Sequence, residues 1–181
     1  MLPHKPLLET KYLNFFEIIH NDSPYYAVSR SKELYQGKIN AVSVCARTPE
    51  GKFILIHEYR PVVDSWVVDV PSGLIDEGEN FMAAAERELL EETGFELQEE
   101  GLTFSPPLYS SVGMTDERSV IVFGTAVPSQ EQKLEEDERI NVIVADHDQV
   151  AQLASTCKFT SKAWLWLLAN PPQEISDKMD Y

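Results

Sequence analysis

Runs of apolar residues within the first forty positions are typical of β-strands. The segment YLNFFEII (12–19) is rich in aromatic and β-branched residues, and residues 25–28 form a second run of this kind. Turn-forming residues at 21–24 separate the two runs. We therefore expect a hairpin or small meander here. Because two strands alone are only marginally stable, this unit should pack on the main body or on a second subunit.

Longer apolar runs predict the strands and helices of the main body. Five strands are expected, at residues 39–46, 52–59, 66–70, 119–127 and 140–145. A turn at 48–51 indicates that the first two of them form a hairpin. Helices are expected at residues 80–93, 146–153 and 159–169. Asn80 suits the N-cap of the first helix and Gly94 its C-terminal end, and the tryptophans of the last helix should lie in the core.

Mixed strands with two or three helices predict an α/β (α+β) fold, built as a layered sandwich. The chain has 181 residues, the size of one domain with a small appendage. We divide it into an N-terminal β-subdomain (1–38), a main domain (39–170) and a polar C-terminal tail (171–181).

The charge balance limits the class of partner. Asp and Glu number 30 against 15 Lys and Arg, which gives a formal net charge of −15. Such a surface repels a nucleic-acid backbone and an anionic membrane, so neither is expected as a partner. The acids are then either a solubilising surface or, in part, ligands for metal cations. The second interpretation needs a cluster of acids at a spacing that brings them together.

The cysteines and the apolar runs bear on the compartment. Cys45 and Cys157 lie far apart and form no CxxC pair, so we expect two reduced, buried thiols rather than a disulfide or zinc site. The N-terminus has no clean apolar core of the signal-peptide type. The longest apolar run, residues 163–169, is too short to span a bilayer. These features predict a cytoplasmic protein.

An acid cluster of this kind lies in the segment GLIDEGENFMAAAERELLEETGF (73–95). Glu88 and Glu92 are four residues apart on one helical face, and Glu91 borders that face. Arg87 offsets only part of their charge. A solvated acidic face is the simplest interpretation, but the acids occupy the C-terminal half of the helix, where the helix dipole disfavours anions. Together with the glycine-bearing loop, they offer oxygen ligands that suit Mg²⁺ or Mn²⁺.

The same segment resembles the Nudix box, Gly-x5-Glu-x7-Arg-Glu-U-x-Glu-Glu-x-Gly-U, where U is aliphatic or bulky and apolar. The match covers Gly73, Glu79, Arg87, Glu88, Leu89, Glu91, Glu92, Gly94 and Phe95. The resemblance implies an α/β/α sandwich with a mixed sheet and a small antiparallel N-terminal subdomain. It implies that Glu88, Glu91 and Glu92 bind Mg²⁺, with Mn²⁺ as a substitute. Arg87 would orient these glutamates, and Glu79 would support the loop.

Flanking residues resemble those of the ADP-ribose and nucleotide-sugar pyrophosphatases. Arg60 ends a strand as the diphosphate-binding arginine does in that branch, and Ser72 matches a residue whose carbonyl ligates a metal. A second loop, SSVGMTDERS (110–119), resembles one that carries a general base, here Glu117. The resemblance leaves open whether a box glutamate such as Glu91 is the base instead. Glu138 resembles a further acid of the site.

One position departs from this branch. Val112 replaces the proline that marks ADP-ribose preference, immediately before Gly113, and so leaves room for ADP-glucose or GDP-mannose. Arg30 and Ser31 align loosely with substrate-contacting residues, and the resemblance also implies substrate contacts by Gly73, Glu79, Gly113 and Glu138. The N-terminal hairpin resembles a subdomain that pairs or swaps between subunits, which implies a homodimer with composite sites.

The expected function is therefore Mg²⁺-dependent hydrolysis of a nucleoside diphosphate sugar to a nucleoside monophosphate and a sugar phosphate. Two alternatives stay open. In the first, the chain hydrolyses a nucleoside triphosphate or dinucleotide. In the second, the chain is a Nudix-type module that senses nucleotides without cleaving them.

Overall fold

The structure is a computed structural model, and it describes residues 1–170. The predicted tail at 171–181 lies outside the described residues. The strands, in chain order, are β1 (His4–Glu9), β2 (Asn14–His20), β3 (Ser23–Ser29), β4 (Ala41–Arg47), β5 (Phe53–Arg60), β6 (Ser65–Asp69), β7 (Ser72–Leu74), β8 (Phe95–Leu97), β9 (Thr103–Phe104), β10 (Leu108–Tyr109), β11 (Arg118–Pro128), β12 (Ile140–Ala145) and β13 (Lys158–Phe159). The α-helices are α1 (Phe81–Thr93), α2 (His147–Ala154) and α3 (Ser161–Ala169), and a 3₁₀ turn covers Pro61–Val63.

The first three strands form a separate antiparallel sheet in the order β1-β2-β3. Asn21 and Asp22 both have positive φ, which is the conformation that closes a two-residue hairpin between β2 and β3. The predicted hairpin is therefore confirmed. Strand β1 was not predicted, because it is exposed along its whole length and contains Pro6, which is tolerated only at a sheet edge.

The main sheet has ten strands, with the path β10-β11-β4-β5-β6-β13. Its pairing is mixed, since β11 runs parallel to β4 while β12 runs antiparallel to β5. The predicted hairpin of β4 and β5 is confirmed only at its turn, where Arg47 lies opposite Phe53. Beyond the turn the two strands separate, and β4 takes the short strand β7 as its partner. This separation places residues 72–74 next to the middle of the sheet.

Two hydrophobic cores lie on opposite faces of this sheet. Val42, Val44 and Ile54 pack with the buried face of α1. The intervening residues of the same strands, Cys45 and Leu55 among them, pack with α2 and α3. Strand alternation thus gives the sheet two apolar faces, each covered by helices. The predicted α/β/α sandwich is confirmed.

The helix predictions hold to within a residue or two at each end. The Asn80 side chain accepts hydrogen bonds from the backbone N–H groups of Met82 and Ala83, and Gly94 ends α1 with a φ of 76°. In α3 the core prediction is correct for Trp166, which is 7% exposed, but not for Trp164, which is 39% exposed. The two tryptophans differ because they lie on different faces of the same helix.

Both cysteines are unpaired, with Cys45 buried and Cys157 half-buried. Burial raises the pKa of the Cys45 thiol to about 12, so this side chain behaves as a small apolar residue. Within residues 1–170, none of the helices combines the length and the apolar character needed to cross a bilayer.

The end of α1 provides a test of the fold. A methyl group on Gly94 would overlap the backbone carbonyl oxygen of Gln130, and the residue would also keep an unfavourable positive φ. Gly94→Ala should therefore lower the free energy of unfolding by about 1–3 kcal/mol, measured by urea denaturation.

Gly101→Ala is the matched control, because Gly101 has a φ of 78° and no atom within 4 Å of the added methyl group. It should cost less than Gly94→Ala. Equal losses of unfolding free energy at the two positions would show that the contact with Gln130 does not contribute to the effect.

Candidate functional site

The loop that leads into α1 lies directly against the helix. Strand β7 pairs with β4, with Gly73 opposite Val42. The carboxylate of Glu88 fills the space that a Cβ on Gly73 would need. Only glycine allows this approach, so Gly73 and Glu88 of the predicted motif form one packed unit.

Arg87 connects the loop to the acidic face of the helix. Its Nε and Nη2 bind the two carboxylate oxygens of Glu79, each at 3.0 Å. Its Nη1 donates to Glu88 at 2.8 Å and to Glu91 at 3.3 Å, and Nη2 also donates to the carbonyl oxygen of Leu74 at 2.9 Å. One guanidinium therefore orients three carboxylates and fixes the loop backbone.

The third acid of the cluster has a different partner. Glu92 is 3% exposed, and its carboxylate accepts a hydrogen bond of 2.9 Å from the backbone N–H of Ser72. Burial raises the pKa of Glu92 to about 9, and the charges of Glu88, Glu58 and Glu138 act in the same direction. Burial also raises the pKa of Glu88, although Arg87 opposes the shift. The site thus destabilises the charged form of these carboxylates, and a bound cation would offset that effect.

A cavity of about 1200 Å³ opens over this cluster. Most of the predicted site residues line it, including both arginines that lie outside the box and the acid of the second loop. They are Arg30, Arg60, Ser72, Gly73, Arg87, Glu88, Glu91, Glu92, Glu117 and Glu138. The fold therefore brings together residues that are up to 108 positions apart in the sequence, from 30 to 138.

Glu117 lies on a loop that contacts the N-terminal sheet. Its carboxylate forms an ion pair with the Nε of Arg30. The backbone N–H of Val28 donates to the carbonyl of Met114 at 2.9 Å, and the backbone N–H of Tyr35 donates to the Asp116 carboxylate at 3.0 Å. The N-terminal segment consequently holds the loop that carries the predicted base.

Three predicted site residues lie elsewhere. Ser31 does not line the cavity, and its carbonyl accepts a hydrogen bond from the Asn14 side chain at 3.0 Å. Glu79 contacts Arg87 rather than the cavity. Gly113 lines a smaller pocket of about 400 Å³ between the loop and the N-terminal sheet. Substrate contacts by these three residues stay predictions.

Glu58 and Lys162 are charged residues of the cavity that were not predicted from the sequence. Glu58 is buried on β5, two positions before Arg60. Lys162 on α3 donates to the hydroxyls of Ser43 and Ser72, each at 3.1 Å. The strand alternation was a signal for Glu58, since residues 58 and 60 share a face. For Lys162 no local signal exists, because it reaches the site through the packing of α3.

The donor set fits a hard divalent cation, since it consists of carboxylate and backbone oxygens in a partly buried site. Among residues 1–170, however, no three His, Cys, Asp or Glu side chains converge as a preformed metal cage. The hydrogen bonds explain this, because Arg87 holds Glu88 and Glu91 while Ser72 holds Glu92. Each of these hydrogen bonds uses one of the two carboxylate oxygens, so the second oxygen can ligate a cation while Arg87 and Ser72 keep the side chains oriented.

The raised pKa of Glu92 predicts how stability varies with pH without metal. Its pKa is about 9 in the folded chain against an ordinary value of 4.5, so between these values the native state keeps a proton that the unfolded state has lost. In EDTA the free energy of unfolding should fall as pH rises from about 5 to 9, by up to about 1.4 kcal/mol per unit. Urea denaturation across this range measures the slope.

Glu92→Gln should flatten that slope, whereas Glu96→Gln, which removes an exposed carboxylate outside the cavity, should leave it unchanged. A wild-type protein with no pH dependence over this range would show that Glu92 ionises normally.

Comparisons with known proteins agree with this geometry. The ADP-ribose pyrophosphatase of Bacillus subtilis (strain 168) is 32% identical over 118 residues, which cover 64% of this chain and 63% of that protein. The methanol dehydrogenase activator of Bacillus methanolicus is 32% identical over 114 residues, covering 62% and 60% respectively. Each match thus spans less than two thirds of the relative's length.

A solved structure described as "Crystal structure of ADP compounds hydrolase" has a TM-score of 0.70 and covers 92% of this chain and 89% of its own. At 21% identity this similarity shows the fold alone. The model of the NUDIX domain family matches residues 37–165, which include the box, the second loop and most residues of both hydrophobic cores. The chain belongs to the NUDIX domain family.

Proposed function

We propose that this protein is a Mg²⁺-dependent hydrolase of nucleoside diphosphate sugars of the ADP-ribose, ADP-glucose or GDP-mannose type. The products would be a nucleoside monophosphate and a sugar phosphate. The observation that carries the proposal is the single cavity that combines the acidic cluster of α1 with Arg30, Arg60 and Glu117. The similarity to an ADP-ribose pyrophosphatase supports this class of substrate.

The charges of the cavity explain why a cation is needed. A diphosphate carries at least two negative charges, and the carboxylates of α1 would repel it. The residues that would hold Mg²⁺ are Glu88, Glu91 and Glu92, together with the backbone carbonyl of Ser72. When bound, the ion lowers the pKa of a coordinated water and stabilises charge that develops on the phosphate oxygens.

The residues of the chain then have separate tasks. Arg60 and Arg30 bind the diphosphate, and Arg87 keeps the glutamates oriented. A water oxygen attacks one phosphorus, the bond from that phosphorus to the bridging oxygen breaks, and Glu117 takes the proton of the water. In this step Glu117 has left Arg30, which a loop residue can do more readily than a helix residue. Glu91 is the alternative base, and Glu138 approaches the cluster as a further acid.

The N-terminal sheet supports the proposal of a homodimer. On one face its strands expose a group of apolar side chains, which are Leu8, Phe15, Ile19 and Tyr26. Apolar surface concentrated on one small sheet is typical of an interaction site. We propose that a second copy of the chain covers it, which would bring a second N-terminal segment near the cavity.

A substrate panel tests the catalytic proposal. ADP-ribose, ADP-glucose, GDP-mannose and ATP would be assayed with and without Mg²⁺. A nucleotide sugar should be the best substrate, and EDTA should abolish turnover. Glu92→Gln and Glu117→Gln should each lower kcat by about 10²–10⁴-fold, because each removes a charged group of the reaction.

Glu96→Gln is the control, since this residue is exposed, lies outside the cavity and should retain activity. Faster release of inorganic pyrophosphate from ATP would favour the triphosphate alternative. Binding of ADP-ribose without any product would favour a sensing module.

The dimer proposal predicts a mass in solution twice that of the chain, measured by light scattering after size-exclusion chromatography. Leu8→Asp should shift the protein to the monomer, because it places a charge within the apolar sheet. Val62→Asp, at a 98% exposed position outside that sheet, should leave the mass unchanged. A monomeric wild type would contradict the proposal.

A further inference from the structure

Glu58 is a buried acid that belongs to neither the Nudix box nor the second loop. It lies on β5 and is only 5% exposed. On this strand Ile54 packs in the core beneath α1, and alternation places residues 56, 58 and 60 on the same face. The strand therefore leads from an apolar core to Glu58 and then to Arg60, at the cavity.

The two charged side chains form an ion pair. The Nε of Arg60 lies 2.8 Å from an oxygen of Glu58. The angles do not meet hydrogen-bond geometry, and this oxygen has no hydrogen-bond partner in the described part of the chain. The Arg60 side chain is 52% exposed, and the structure shows no hydrogen bond donated by it within residues 1–170. Its terminal N–H groups are thus available to a ligand while the Nε side faces Glu58.

Stability alone does not account for a carboxylate at this place. Burial raises the pKa of Glu58, and the charge of Asp69 adds to this shift, whereas Arg60 and Lys162 oppose it. The pair gains little stability over apolar side chains of similar volume, because the buried Glu58 carboxylate loses its hydration and the half-exposed Arg60 replaces it only in part. An apolar residue would also continue the pattern of Ile54 and Ile56. The acid is therefore better explained by its effect on Arg60.

We infer that Glu58 is a positioning residue, which holds the guanidinium of Arg60 at the cavity wall so that its free N–H groups meet the substrate diphosphate. Arginine has many rotamers, and a half-exposed arginine without a partner would have to be ordered at each binding event. A fixed carboxylate removes this cost before the substrate arrives. The inference rests on the proposed function, since it concerns the diphosphate of the same site.

A double-mutant cycle tests the inference. The variants are Glu58→Gln, Arg60→Ala and the double variant, and Gln keeps the shape of the side chain while it removes the charge. Glu58→Gln should raise KM for the nucleotide sugar about tenfold with little change in kcat, because only binding is affected. In the Arg60→Ala background the same substitution should change neither constant by more than about twofold.

Two further measurements separate the inference from other roles of Glu58. The Mg²⁺ concentration for half-maximal activity should be the same in wild type and Glu58→Gln. Thermal unfolding should show that the variant is folded, and Glu96→Gln, which removes a carboxylate outside the cavity, should retain the wild-type KM.

Other results would overturn the inference. If Glu58→Gln weakens Mg²⁺ activation and keeps its effect in the Arg60→Ala background, Glu58 acts on the metal site instead. If kcat and KM both change while the protein loses stability, its role is structural. If Arg60→Ala leaves KM unchanged, Arg60 is not the diphosphate ligand. The proposed function fails on different results. It fails if wild type has no metal-dependent turnover, or if Glu92→Gln does not remove that turnover.

Discussion

The contacts of Arg87 are the interaction on which the rest of the site depends. Its guanidinium binds Glu79, Glu88, Glu91 and the carbonyl of Leu74, so it joins the loop to the helix and separates three carboxylates that would otherwise repel one another. A lysine could not replace it, because an ammonium lacks the planar fork that meets Glu79 with two parallel hydrogen bonds. The glycine at position 73 completes this arrangement, because it leaves the space in which the Glu88 carboxylate lies.

The main sheet determines what surrounds that centre. Because β4 leaves β5 after the turn, it can pair with β7 on one side and with β11 on the other. The first pairing places Ser72 beside Glu92, and the second places the start of β11, and with it Glu117, at the same edge. Strand β5 ends nearby with Glu58 and Arg60. The cavity is thus formed where several strands end above the acidic helix, which is why residues so distant in sequence share it.

The sequence predicts those parts of the structure that depend on local spacing. The position of α1, its cap at Asn80 and its end at Gly94 follow from residues within one or two turns of each other, and so does the common face of Glu88 and Glu92. The ion pair of Arg30 with Glu117 and the reach of Lys162 to Ser72 depend on how distant elements pack, which no periodicity encodes. Strand β1 was missed for a related reason. It is an exposed edge strand that pairs with β2, and its residues carry no alternation that marks a buried face.

The distribution of charge connects the acidity of the chain with its proposed chemistry. The net charge of −15 suggests at first a protein that avoids phosphates. Yet Glu58, Glu88 and Glu92 are buried, and burial raises the pKa of each. Burial destabilises the anionic form of these carboxylates, because it removes their hydration. A bound cation offsets this cost. Arg60 supplies that cation for Glu58, and Arg87 supplies it in part for Glu88. Within residues 1–170, however, the only hydrogen bond to the Glu92 carboxylate comes from the backbone N–H of Ser72. Glu92 is therefore the acid with most to gain from a divalent ion, and the same ion would convert an anionic wall into a surface that attracts a diphosphate.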